Sequence, residues 1–271
     1  MFGRGRIETK SDAELVLMRQ AGLVVARTLQ SLRDAATPGV TTGELNDFAH
    51  ERIREQGATS NFLGYHGFTG VICTSVNEEI VHGIPGDRVL RDGDLLSIDC
   101  GAIIDGWHGD AAITVAVGSV DDTATELSRV TEQALWAGIA AMATGERVGD
   151  ISYAIETSVD AAGDYGITEP FTGHGIGREM HMEPDVPNTG RPGRGPRLTA
   201  GATLAIEPMV TLGSEQARIL EDGWTAVTPD GSLAAHWEHT VARTESGVWV
   251  LTAEDGGAAR LAELGIPFGA L

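Results

Sequence analysis

LLSIDCGAIIDGWHGDAAITVA, residues 95–116, is the stretch on which the reading of the chain turns. Two apolar runs flank Asp105-Gly106, a dipeptide that favours a tight reversal between strands. Each run carries one acid, Asp99 or Asp110. A carboxylate inside a Leu/Ile/Val strand is costly unless it has a partner. Strand residues of equal parity face one side of a sheet. With the turn near 105–106, the two acids are expected nearly across from one another. Two bare carboxylates there would repel, and a divalent cation turns that repulsion into attraction. The plainer alternative makes Asp99 a turn or edge acid and Asp110 the start of a loop; the rest of the chain decides between them.

Upstream, Ser11-Asp12-Ala13-Glu14 reads as a capping box. A long helix follows to about Ala35, with Leu15, Met18, Ala21, Val25, Leu29 and Leu32 at helical spacing. Thr42 is expected to cap a second helix to about Gln56, closed by Gly57. Residues 71–76 read as a strand, followed by an Asn77-Glu78 turn and by His82-Gly83-Ile84-Pro85. Downstream the same grammar returns, with helices expected at 122–144 and 150–162. The segments 37–57 and 144–163 share a turn, a cap, an amphipathic helix and a terminal glycine. Aligning Leu45 with Ile151 gives an internal duplication of period 106. The expected class is α+β, with duplicated ααββ halves closing around a site at their junction.

The second half holds further ligand-type residues. FTGHGIGREMHMEP (171–184) frames His174 with glycines and places His181 seven residues on. TLAIEPMVTL (203–212) reads as a strand with Glu207 at its centre and Pro208 suited to an edge or end. AHWEHTVARTESGVWVL (235–251) carries Glu238 in a half-apolar run. Asp99, Asp110, His174, Glu207 and Glu238 make an oxygen-rich set that suits two divalent cations about 3.5–4 Å apart. His82 and His181, in loops bordered by Gly or Pro, remain free to act on a substrate.

Composition narrows the field. The 271 residues are 42% hydrophobic, enough for a substantial core. A net charge of −20 argues against DNA as a partner, since phosphates would be repelled. The two cysteines, Cys73 and Cys100, show no CxxC spacing. MFGRGRIETK opens the chain without an apolar segment, and no run of about 20 apolar residues is present to span a bilayer. A reduced, cytoplasmic protein with no membrane partner is expected. Residues 1–10 are expected as a leader, 11–252 as one catalytic domain, and 253–271 as a C-terminal tail.

In this order, GYHGF (64–68), NEEIVHGIP (77–85), LSIDCGAIIDGWHGDAAI (96–113), GHGIGREMHMEP (173–184), AIEPMV (205–210) and EDGWTAVTPDGSLAAHWEHTV (221–241) resemble the type I methionine aminopeptidases of the pita-bread metallopeptidase fold. The resemblance implies removal of the N-terminal methionine from nascent peptide chains when the second residue is small. It assigns Asp99, Asp110, His174, Glu207 and Glu238 to two metal ions (Co, Mn, Fe(II), Zn or Ni), with Asp110 and Glu238 bridging. His82 would position the scissile peptide, His181 would bond its carbonyl, and Glu207 would carry protons. Phe62, Tyr65, Phe68, Cys73, Met180 and Trp224, with His82 and His181, would surround the substrate. Phe62 stands where many bacterial members carry Cys, Met180 where an aromatic is usual, and Gly101 where some carry Thr. A monomer that meets its substrates at the ribosome is the implied setting. Three rival readings stand against this one. X-Pro peptidases of this fold carry a large N-terminal domain, and only about ten residues precede the first helix here. Non-catalytic pita-bread binding proteins lose metal ligands, and none of the five is missing. Type II members insert helices between His181 and Glu207, where only 26 residues separate the two.

Overall fold

A computed structural model describes residues 7–271. The first six residues of the expected leader lie outside the described part. The others run beside Ala202, where Thr9 forms a bridge and the Lys10 amide donates to Gly201 O at 2.8 Å.

Helix α1 (Asp12–Ala35) starts at the expected capping box, in which Ser11 and Glu14 satisfy each other's backbone amides. All six apolar positions read from its spacing are buried. Helix α2 (Thr42–Glu55) is capped by Thr41, one residue before the expected Thr42, because Thr41 has extended backbone and forms the box with Glu44. Helix α3 (Asp122–Thr144) is capped by Asp121, and α4 (Val148–Ala162) begins two residues earlier than expected. Helices α2 and α4 thus begin at 42 and 148, which is the period of 106 read from sequence.

Each pair of helices backs its own sheet and its own core. Residues of α1, α2 and the hairpin 95–116 form one apolar cluster, and residues of α3, α4 and the later strands form another; Trp237 packs against both. All pairings between the strands are antiparallel. In the first half, strand Leu95–Ile104 pairs with Trp107–Ala116, Ile72–Val76 and Thr59–Ser60. In the second, a five-stranded sheet centres on Thr203–Ile206. The two sheets meet where Ala112 and Glu238 exchange backbone hydrogen bonds of 3.3 and 2.9 Å. Helix α1 lies close on the hairpin because Gly22 and Gly109 face each other; a Cβ on Gly109 would sit 2.8 Å from the Gly22 nitrogen.

The turn at Asp105-Gly106 has φ of 50° and 76°, the left-handed pair of a type I′ hairpin. It fixes the register, and the register corrects one expectation. Asp99 pairs with Ala112 and Asp110 with Gly101, so the acids are diagonal neighbours two residues out of step. They still share a face, because a shift of two preserves parity. Residues 253–271, where the sequence shows no pattern, hold a short helix α5 (Ala258–Leu264) that buries Leu261 in the second core.

Candidate metal centre and active site

The five ligand-type residues converge from both halves. Asp99 and Asp110 point from the hairpin. His174 is the central residue of strand Gly173–Gly175. Glu207 does not sit mid-strand as read from sequence. Pro208 cannot donate to a ladder, so the run splits into Thr203–Ile206 and Met209–Thr211, in different sheets, with Glu207 at the break. Glu238 occupies a similar break between Ala234–His236 and His239–Arg243. One ligand atom each from Asp110, His174 and Glu238 lies within 4.8 Å of the others, all from buried residues. His174 Nε2 is 3.5 Å from Glu207 Oε1. Its Nδ1 lies 2.9 Å from Gly175 O, which can only accept, so the proton sits on Nδ1 and the Nε2 lone pair faces the acids.

This donor set fits divalent cations. Asp99 Oδ1, Asp110 Oδ1 and Glu238 Oε1 are buried without a hydrogen-bond partner. Burial pushes the Asp99 carboxyl up to about 7. Asp110, Glu207 and Glu238 are driven well above the usual carboxylate range, by burial first and then by neighbouring charge, that of Asp99 for Asp110 and Glu207 and that of Asp110 for Glu238. Burial lowers His174 to about 3, so the imidazole is neutral and able to ligate. Crowded acids of raised affinity for protons, beside a neutral imidazole, are what a dication would relieve.

A pH dependence follows. Folding holds a proton on Asp99 up to about 7, whereas the unfolded chain releases it near 4. At Asp99 the folded state therefore binds more protons between those values, so this residue's contribution to the stability of metal-free protein falls as pH rises from 4 to 7, opposite in sign to that of His174 and His82, whose pKa values burial lowers. Thermal melts in chelator of wild type and Asp99→Asn across that range check this; a difference between the two that stays constant with pH would contradict it.

All thirteen residues named from sequence line one cavity of about 130 Å³. Phe62, Phe68, Cys73 and Met180 form a buried apolar cluster with Tyr65 and Trp224 against it. Phe68 meets the Trp224 ring edge-on at 5.1 Å, and Trp224 flanks His82 at 6.2 Å. His82 has φ of 61°, a left-handed conformation that non-glycine residues seldom adopt. Burial lowers His82 to about 4. The Tyr65 hydroxyl lies 2.7 Å from His181 Nδ1, and the His181 and His174 rings are 4.3 Å apart.

Three neighbours escaped the sequence reading. Phe171 packs edge-on against His82 at 5.5 Å. Asn61 fills the space over Gly101: its amide stands where a Gly101 side chain would be, and both its polar atoms are buried without partners. His236, only 2% exposed, faces Glu207 and Glu238. The HWEH run held the signal for His236, since residues 236 and 238 share strand parity.

The profile of metallopeptidase family M24 matches residues 16–245. Methionine aminopeptidase 1 of Mycobacterium tuberculosis is 53% identical over 256 residues, covering 92% of this chain and 96% of the relative. Methionine aminopeptidase 1 of Bacillus subtilis is 48% identical over 243 residues, 90% of this chain and 98% of the relative. The crystal structure of methionine aminopeptidase from Thermotoga maritima superposes with a TM-score of 0.89 at 42% identity, covering 92% of this chain and all of that one. The prolidase of Pyrococcus furiosus, 21% identical with a TM-score of 0.72, shares the fold; this chain covers 90% of itself and 65% of that protein. The chain belongs to the methionine aminopeptidases of metallopeptidase family M24. It is a metal-dependent aminopeptidase with the pita-bread fold. Among the described residues, no helix is long and apolar enough to cross a membrane.

Proposed function

We propose that this enzyme removes the first methionine of nascent chains when the second residue is small, using two divalent cations held by Asp99, Asp110, His174, Glu207 and Glu238. Asp110 and Glu238, one from each half, are the pair suited to bridge. The observation that carries the reading is the meeting of partnerless buried carboxylates and a neutral imidazole at one end of an apolar cavity. Divalent cations bound there supply Lewis acidity and bring the pKa of water towards neutrality. Mn, Fe(II), Co, Ni and Zn all accept this ligand set.

The protein's own groups do the rest. Glu207, already raised in proton affinity, takes a proton from the attacking water and delivers it to the leaving amine. The Tyr65 hydroxyl lies 2.7 Å from His181 Nδ1; with the hydroxyl as donor in that hydrogen bond, Nε2–H is left as a donor for the substrate carbonyl and the oxyanion that develops on it. His82, neutral and held against Phe171 and Trp224, positions the scissile peptide. Phe62, Tyr65, Phe68, Cys73, Met180 and Trp224 receive the methionine side chain, whose thioether packs well on aromatic edges. The enzyme works in the cytoplasm as a monomer, on chains leaving the ribosome.

The test uses metal-stripped protein reloaded with Mn²⁺ or Co²⁺. Methionine release from Met-Ala-Ser should exceed that from Met-Leu-Ser by about 100-fold. Ala-Pro-Ser should be left intact. Preferential cleavage of Ala-Pro-Ser would overturn the reading in favour of an X-Pro peptidase.

A further inference from the structure

We propose that His236 is a positioning residue, whose Nε2–H is the fixed donor that orients the Glu207 and Glu238 carboxylates for cations; this rests on the function proposed above. His236 ends strand Ala234–His236 and pairs with Met209, two residues beyond Glu207. Glu238 lies two residues beyond His236 itself. The ring therefore stands between the two glutamates on the face they share. Its Nε2 is buried with no hydrogen-bond partner. It lies 3.7 Å from Glu207 Oε2 and 4.0 Å from Glu238 Oε2. Both separations exceed a hydrogen bond, so the ring faces the two carboxylates without bonding either. A buried N–H is costly to leave unpaired, and these carboxylates are the acceptors the structure puts beside it.

The backbone beneath the ring is held firmly. The His236 amide donates to Thr114 Oγ1 at 3.0 Å and lies 3.2 Å from Ser97 Oγ. Thr114 Oγ1 in turn donates to His236 O at 2.8 Å, and the two hydroxyls are 2.9 Å apart. Ser97 and Thr114 are a cross-strand pair of the hairpin that carries Asp99 and Asp110. The strand pair that presents two ligands thus also fixes the donor that faces two others. Groups that orient ligands in this way commonly set metal affinity as well as turnover.

Three proteins decide it: wild type, His236→Gln, which keeps an N–H near the same place, and His236→Leu, which keeps bulk without a donor. Each is stripped of metal and titrated with Mn²⁺ by calorimetry, then assayed on Met-Ala-Ser. The Leu variant should bind Mn²⁺ roughly 10–100-fold more weakly, with kcat reduced and KM little changed. The Gln variant should stay close to wild type, and its Co²⁺ absorption spectrum should be unaltered. Leu matching wild type would reduce His236 to a space filler and overturn the proposal. Loss in Gln equal to that in Leu, with a changed Co²⁺ spectrum, would make His236 a ligand and overturn it too. If the Leu protein does not melt cooperatively, His236→Ala against His236→Gln is read by the same rule. Wild type that neither binds Mn²⁺ nor cleaves Met-Ala-Ser would instead sink the proposed function.

Discussion

Asp110→Asn is expected to weaken binding of both cations by at least about 100-fold, while raising the melting temperature of the metal-free protein. The two effects have one cause. Asp110 is 3% exposed, its Oδ1 has no partner, and one of its oxygens lies within 4.8 Å of ligand atoms of His174 and Glu238. After burial, the charges of Asp99 and Glu207 oppose its ionisation most. An amide of the same shape removes one of four crowded acids. That relieves the folded state when no cation is present, by about 1–2 kcal/mol on the scale of such replacements, or several degrees for a domain of this size. With cations, the same change would remove the anionic ligand proposed to bridge them. Calorimetric titration with Mn²⁺ and a melt in chelator at pH 8 read the two effects separately. Unchanged affinity with two ions still bound would contradict the bridging role.

His181→Ala should lower kcat by roughly 10²–10³-fold, the usual cost of an oxyanion donor, and leave metal stoichiometry as it was. The residue lines the cavity and its ring sits 4.3 Å from that of His174, yet its Nδ1 is engaged by Tyr65 at 2.7 Å. That contact directs the remaining ring nitrogen to the substrate side. Calorimetry paired with single-turnover assays separates the two properties. A variant that lost a cation along with its activity would show His181 to be a ligand instead.

The metal-facing acids were legible because charge in an apolar strand has few innocent explanations. Asp99 and Asp110 announce themselves that way, and their equal parity put them on one face without knowledge of register. The register itself was not legible to one step. A two-residue turn pairs Ile104 with Trp107, which carries Asp99 to Ala112 and not to Asp110. The split at Glu207 was half visible: Pro208 marked an end, but nothing local says that the two pieces join different sheets. The duplication showed in the caps and terminal glycines of α2 and α4, which are local signals. Asn61 over Gly101 was hidden because it is a fit between segments 40 residues apart. His236 was hidden by its neighbour, since Glu238 accounted for the HWEH run; the shared parity of 236 and 238 was the one local hint. Helix α5 lacks a capping side chain and has a single buried residue, so periodicity had nothing to work on.

The junction at Ala112 and Glu238 has a corollary. One repeat contributes Asp99 and Asp110, the other His174, Glu207 and Glu238, and the trio Asp110, His174 and Glu238, whose ligand atoms lie within 4.8 Å of one another, draws on both. The candidate centre is thus a property of the suture between the duplicated copies. A bound ion acts as a rivet through that suture. Substitutions that change how the copies abut should then change the grip on a cation even where the five candidate ligands are untouched.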